Sequence, residues 1–203
     1  MTFLKSPYIT STPNLEHEVS YPEYEQDVLR TLSLQFNLQT EAGGPHPTAS
    51  DLSAALGKAI EAGHLVDSLK RSIFYGSRFE SPSDERQELP IYVGDGGPDA
   101  QHPSPDMLHS AMGVFTEAAE FLEAIVRSTF GGAPFDKTNA VEELGDLEWY
   151  MAVMRRRLRV SQEKVQRINI AKLRARYPEK FEKRDALDRD LDRERSVLES
   201  SSD

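Results

Sequence analysis

Residues 116–125 read TEAAEFLEAI, and residues 142–150 read EELGDLEWY. Each stretch sets two acids three residues apart, Glu117 with Glu120 and Glu143 with Asp146, in a segment otherwise patterned for burial. Three-residue spacing puts side chains on neighbouring turns of one helix face. A carboxylate on an apolar face is costly unless a cation neutralises it. The two stretches therefore point to an all-α fold and raise a chemical question, which is the nature of that cation.

Working outward, the periodicity and the capping residues predict helices throughout and no strand. The first runs through YPEYEQDVLRTLSLQF, with Tyr24, Val28, Leu32 and Phe36 near one face. A second spans Asp51 to about Tyr75, and a third Asp106 to Phe130 with Pro105 suited to the first turn. A fourth begins near Asp136 or Thr138, and a fifth is opened by Ser161 and ended by Tyr177-Pro178. Residues 1–20 read as an irregular lead-in, 21–180 as a helical bundle interrupted by a long Pro/Gly-rich loop over 81–105, and 181–203 as a charged helix and tail. Residues 52–80 also align without gaps on 108–136, matching Gly57 with Gly113, Glu61 with Glu117, Arg71 with Arg127 and Gly76 with Gly132. His64 stands opposite Glu120, and no second EELGD follows the first copy. The bundle thus reads as containing a duplicated, partly degenerate helical unit.

Composition narrows the chemistry. The 203 residues, 38% hydrophobic, suit one domain, or a compact domain with a tail. The absence of an apolar run long enough for a bilayer, and of a signal-peptide pattern in MTFLKSPYITSTP, leads us to expect a cytoplasmic protein with no membrane partner. With no cysteine, any metal must be held by oxygen or imidazole, which favours magnesium or manganese. A net charge of -10 argues against binding a nucleic-acid polymer, but not against a small phosphorylated substrate whose charge a bound cation offsets.

At about 100° per residue, Glu143 and Asp146 lie about 60° apart, flanked by Val153, Tyr150, Met154 and Leu147, and so are expected to point inward. Glu142 falls at the edge of that arc and Glu148 outside it. In the preceding helix Phe115, Phe121, Leu122, Ile125 and Val126 define the buried arc, which Glu117 borders, with Glu120 further round and Glu123 further still. If these helices pack antiparallel, four carboxylates meet, and one or two magnesium ions would relieve their repulsion. Solvated surface acids are the alternative reading. Asn169, Lys172 and Arg176 share one side of the fifth helix and can donate to phosphate oxygens, or simply complement its C-terminal dipole.

With Glu117-x-x-Glu120, Glu143-x-x-Asp146 inside EELGDLEWY, and INIAKLRARYPEKF following, the chain resembles the MazG-like all-α nucleoside triphosphate pyrophosphohydrolases, especially forms common in bacteriophages, over roughly residues 106–199. The resemblance implies hydrolysis of a nucleoside triphosphate, with guanine nucleotides slightly favoured, to monophosphate and pyrophosphate with Mg²⁺ or Mn²⁺. It implies Glu117, Glu120, Glu143 and Asp146 as catalytic metal ligands, Asn169 and Lys172 as phosphate contacts with Arg176 a looser third, and a homo-oligomer, dimer or tetramer. Thr116, Ala119 and Val126 depart from the family pattern, where many relatives carry an acid, a Gly and a Lys. Phe36, Tyr75 and Trp149 are candidate walls for the base, although for each the simpler reading is a core residue.

Three rivals stand beside this reading. Glu61-x-x-His64 brings to mind a di-iron carboxylate bundle, which needs two such motifs and two further Glu. An acidic helical interaction protein would keep its carboxylates solvated. A nucleotide-binding regulator would bind triphosphate without turnover.

Overall fold

The computed structural model describes residues 23–33, 38, 44, 46–81, 90–95 and 101–200, and every regular element among them is a helix. The chain divides into two compact units, Pro47–Val160 and a second made of the segment up to His46 together with Ser161 onward. Phe36 and the lead-in 1–20 lie outside the described residues. No described helix is long and apolar enough to cross a membrane.

In the second unit, α1 (Glu23–Thr31), α5 (Gln162–Arg176), α6 (Lys183–Leu187) and α7 (Leu191–Ser200) are short and polar. Helix α5 starts where Ser161 accepts from the Lys164 N–H, and it packs against α1 and α7. Charge pairs fasten it on both sides. Arg174 reaches Asp27 of α1 at 2.8 Å, and Arg176 binds Glu194 of α7 through two nitrogens at 2.8 and 2.5 Å, where Arg189 also converges. Hydrogen bonds from the two arginines hold the Glu194 carboxyl down to about 2.

The unit Pro47–Val160 carries the acids. It comprises α2 (Ala49–Tyr75), α3 (Pro105–Gly131) and α4 (Lys137–Arg157), with α3 in contact with both others. Helix α2 opens with a reciprocal cap in which the Asp51 N–H donates to Thr48 Oγ1 at 3.1 Å and the Thr48 N–H to Asp51 Oδ2 at 2.9 Å. Pro105 stands in the first turn of α3 as its fixed φ allows. Asp136 caps α4 by accepting from the Thr138 and Asn139 N–H groups, and Arg155, Arg156 and Arg157 complement the dipole in its last turn. Both α2 and α3 have 27 residues and end on a left-handed glycine, Gly76 at φ 73° and Gly132 at φ 67°. Only glycine takes that conformation without steric cost. Their N-caps, Thr48 and Ser104, also fall at aligned positions.

Neighbouring helices run antiparallel. His64 meets Glu123 while Lys70 meets Glu117, and Arg157 pairs with Asp106 while Tyr150 packs on His109. The close approach rests on small residues. A Cβ on Gly63 would fall 2.3 Å from the Ala119 Cβ, and one on Gly113 would fall 2.3 Å from the Tyr150 ring. The buried line of α3 is consequently Ser110, Gly113, Thr116, Glu117 and Ala119, and Phe115, expected in the core, is exposed. A helix gripped on two sides buries its smallest residues where its neighbours press closest.

Candidate metal and phosphate centre

The site forms where the middle of α3 crosses the first half of α4. Glu117, Glu120 and Glu143 each place one carboxylate oxygen so that all three lie within 4.8 Å of one another. Glu117 and Glu143 are only 8% and 5% exposed, and Glu120 is half-buried. The sequence pairing of Glu117 with Glu120, and of both with Glu143, is thus realised in space. Asp146 differs from expectation. It is exposed, stands outside the trio and lines the adjoining cavity instead. The physical reason lies in α4, which packs chiefly on α3 and leaves Val141, Leu144 and Trp149 exposed, so its buried arc is narrower than its apolar residues imply.

Glu117 and Glu143 have different partners. Asn139, one turn earlier on α4, donates to Glu143 Oε1 at 2.6 Å. Glu117 Oε1 receives the Lys70 ammonium at 3.0 Å, and the Thr116 hydroxyl stands 3.0 Å from the same oxygen. Among the described residues neither Glu120 nor Glu143 has an ion pair. Burial, reinforced by the charges of Glu117 and Asp67, pushes the Glu120 carboxyl above the usual range. Burial also pushes Glu143 up, against the Asn139 hydrogen bond and with the charges of Glu120 and Glu117 adding to it. Two acids are left short of positive charge, which is the condition a divalent cation relieves.

Lys70 answers part of the question raised by the sequence, and sequence reasoning missed it. Its side chain comes from α2, is 5% exposed, and donates to Thr116 Oγ1 at 2.8 Å and to Glu117, with Asp67 Oδ1 at 3.2 Å and the Tyr150 ring centroid at 5.2 Å. Burial pulls its pKa down, but the hydrogen bond and charge of Glu117, with Asp67, outweigh burial and hold it above the usual lysine range. The available signal was a lysine aligned with Val126, on the face where the second copy is apolar.

Two cavities flank Glu120. One, of about 490 Å³, is lined by Lys70, Arg71, Tyr75, Glu117, Asp146 and Tyr150 among others. The other, of about 370 Å³, has His64, Glu123, Arg127, Asn139 and Glu143 on its walls. His64, which aligns with Glu120 when residues 52–80 are laid on 108–136, does not join the trio, but its Nε2 lies 3.0 Å from Glu123. Burial raises the Glu123 carboxyl, yet hydrogen bonds from His64 and Arg127 prevail and hold it below its usual value.

Of the candidate base walls, Tyr75 lines the larger cavity with its hydroxyl 3.0 Å from His109 Nε2. Trp149 is 56% exposed and packs edge-on against Tyr150. The expected phosphate contacts Asn169, Lys172 and Arg176 belong to α5, in the other unit. Asn169 and Lys172 are half-buried there, and the Arg176 fork is committed to Glu194. Within the unit that holds the acids, Lys70 and Arg71 supply positive charge at the cavity.

Comparison of the chain with family models, with curated proteins and with solved structures finds no match.

Proposed function

We propose that the protein is a divalent-metal-dependent nucleoside triphosphate pyrophosphohydrolase of the MazG-like, all-α kind, with the α2 and α3 segments as a duplicated unit. The observation that carries the reading is the meeting of three carboxylates from two antiparallel helices within 4.8 Å, two of them without a cationic partner among the described residues. The equal lengths and aligned caps of α2 and α3 support the duplication.

The donor set fits Mg²⁺ or Mn²⁺, being all carboxylate oxygen, and Glu117, Glu120 and Glu143 would hold the ion. Bound there, it supplies neutralising charge at the phosphate oxygens and acidity for the attacking water. The protein does the rest by placement. Asn139 orients Glu143, while Thr116 and Lys70 orient Glu117. Arg71 faces the cavity where phosphate oxygens would lie, and Tyr75 offers a ring against the base. Asp146, lining that cavity outside the trio, accepts the proton of the water that attacks the α-phosphorus. The bond from that phosphorus to the oxygen bridging to the β-phosphate breaks, giving monophosphate and pyrophosphate.

The test is product analysis with each common dNTP and NTP, in magnesium and in chelator, beside Glu143→Gln. Monophosphate and pyrophosphate that disappear with chelator and with the variant are expected. Intact triphosphates after incubation with folded protein and magnesium would overturn the reading.

A further inference from the structure

The ammonium of Lys70 has three N–H donors and three acceptors around it, Thr116 at 2.8 Å, Glu117 at 3.0 Å and Asp67 at 3.2 Å. Its side chain is buried, lies 5.2 Å from the centroid of the Tyr150 ring and lines the cavity that Glu117 and Glu120 share. Carboxylate sites that work with two divalent ions set them roughly 3.5–4 Å apart, bridged by shared acids. Here a fixed cation sits against one oxygen of Glu117, on the α2 side of the trio, while Glu120 and Glu143 have no ion pair among the described residues. Arg71 meanwhile satisfies Asp67 at 2.6 Å, so the acid brought in by α2 is matched within its own helix.

We infer that Lys70 stands where a second divalent ion would otherwise sit, so that the centre takes a single ion beside Glu120 and Glu143 and uses the ammonium as its permanent second cation. This inference rests on the metal-dependent reading above and deepens it. Charge supports it directly, because a second dication at Glu117 would face the buried Lys70 ammonium, which already lies 3.0 Å from the Glu117 carboxylate. It also gives a role to the asymmetry of the repeat. The position aligned with Lys70 on α3 is Val126, and the position aligned with Glu117 on α2 is the exposed Glu61, so a lysine faces a glutamate only at the end where α4 adds further acids.

The experiment is a calorimetric titration of the full chain with Mn²⁺, with electron paramagnetic resonance counting bound ions, for the wild type, Lys70→Met and Lys70→Arg. One ion per wild-type chain is expected, two for Lys70→Met or a first ion bound at least tenfold tighter, and one again for Lys70→Arg, which keeps the charge. Should Lys70→Met fail to fold without metal, Lys70→Gln, which can still donate to Thr116, takes its place in the same titration. Two ions on the wild type, or a charge-removing variant, Lys70→Met or Lys70→Gln, that matches it in number and affinity, would overturn the inference while metal-dependent hydrolysis continued to support the enzyme reading. A wild type that neither binds Mn²⁺ nor hydrolyses triphosphate overturns both.

Discussion

Helices α2 and α3 have the same length, the same kind of N-cap position and the same left-handed glycine at the end, yet they do opposite electrostatic work. Helix α3 brings two unlike-placed acids, Glu117 and Glu120, into a buried crossing, and α2 brings the cation that makes one of them tolerable. A carboxylate buried alone would be expensive. Paired with an ammonium and a hydroxyl, Glu117 is held in place, and the unmet demand for positive charge moves to Glu120 and Glu143. The lesson of the comparison is that two helices of equal length and matching ends can divide a charge problem between them.

Several substitutions probe that division. The largest effect is expected on catalysis: Glu120→Gln or Glu143→Gln should lower the rate of triphosphate hydrolysis by roughly 10³-fold, whereas Glu61→Gln, at the aligned exposed position on α2, should leave it within about twofold. Steady-state rates with magnesium decide this, and comparable losses at all three positions would erase the distinction between the copies. Next comes stability. Lys70→Met strands Glu117 as an uncompensated buried charge and should cost about 3–5 kcal/mol in chelator. Denaturant unfolding would show it, and an unchanged midpoint would mean that the pair contributes nothing.

The aligned glycines offer a sharper comparison, since one letter has two settings. A Cβ on Gly57 meets nothing within 4 Å, so Gly57→Ala should stabilise by about 0.5–1 kcal/mol through lower unfolded-state entropy. Gly113→Ala drives a methyl into the Tyr150 ring and should destabilise by about 1–3 kcal/mol. Thermal melts of the two variants would have to move in opposite directions.

The smallest effect concerns pH. The Glu120 carboxyl is raised in the folded protein, so its contribution to stability is present below the ordinary value of 4.5 and is lost as pH rises through the higher folded value. In chelator, Glu120→Gln should therefore match the wild type under acid conditions and become the more stable of the two towards neutral pH. Saturating magnesium should close that gap, because only the wild type gains from binding. Melting temperatures between pH 4 and 8, with and without the ion, give the answer, and a gap that widens on acidification would reverse the assigned sign.

Much of the fold was legible because local chemistry agreed with it. Pro105, Asp136 and Ser161 announce helix starts, whereas α2 begins two residues ahead of the expected Asp51, behind its Thr48 cap. Glu117 and Glu143 were legible as buried acids from their place beside apolar arcs. Other features needed three dimensions. Asp146 looked inward only on the assumption that α4 is covered across its whole apolar arc, and Phe115 only on the assumption that α3 buries bulk where it in fact buries small residues. Lys70 escaped notice because attention to the first copy fell on Glu61 and His64, whereas the informative residue was the cation on its apolar side. Which acids a lysine neutralises depends on the antiparallel register of α2 on α3, and no periodicity within one helix carries that.

The contact between Gly113 and the Tyr150 ring reaches further than packing. Gly113 lies one turn before Glu117, and Tyr150 one turn after Asp146, so the thickness of a single aromatic ring fixes how far the two acidic helices stand apart at the centre. For the ion proposed at the acidic trio, that spacing would act as a gauge of radius. Magnesium demands oxygens at about 2.0–2.1 Å, while calcium accepts about 2.3–2.6 Å and more ligands. A glycine that touches no ion would then set which ion is admitted, and the sign of such control is that Gly113→Ala shifts competition from magnesium towards calcium in a displacement titration.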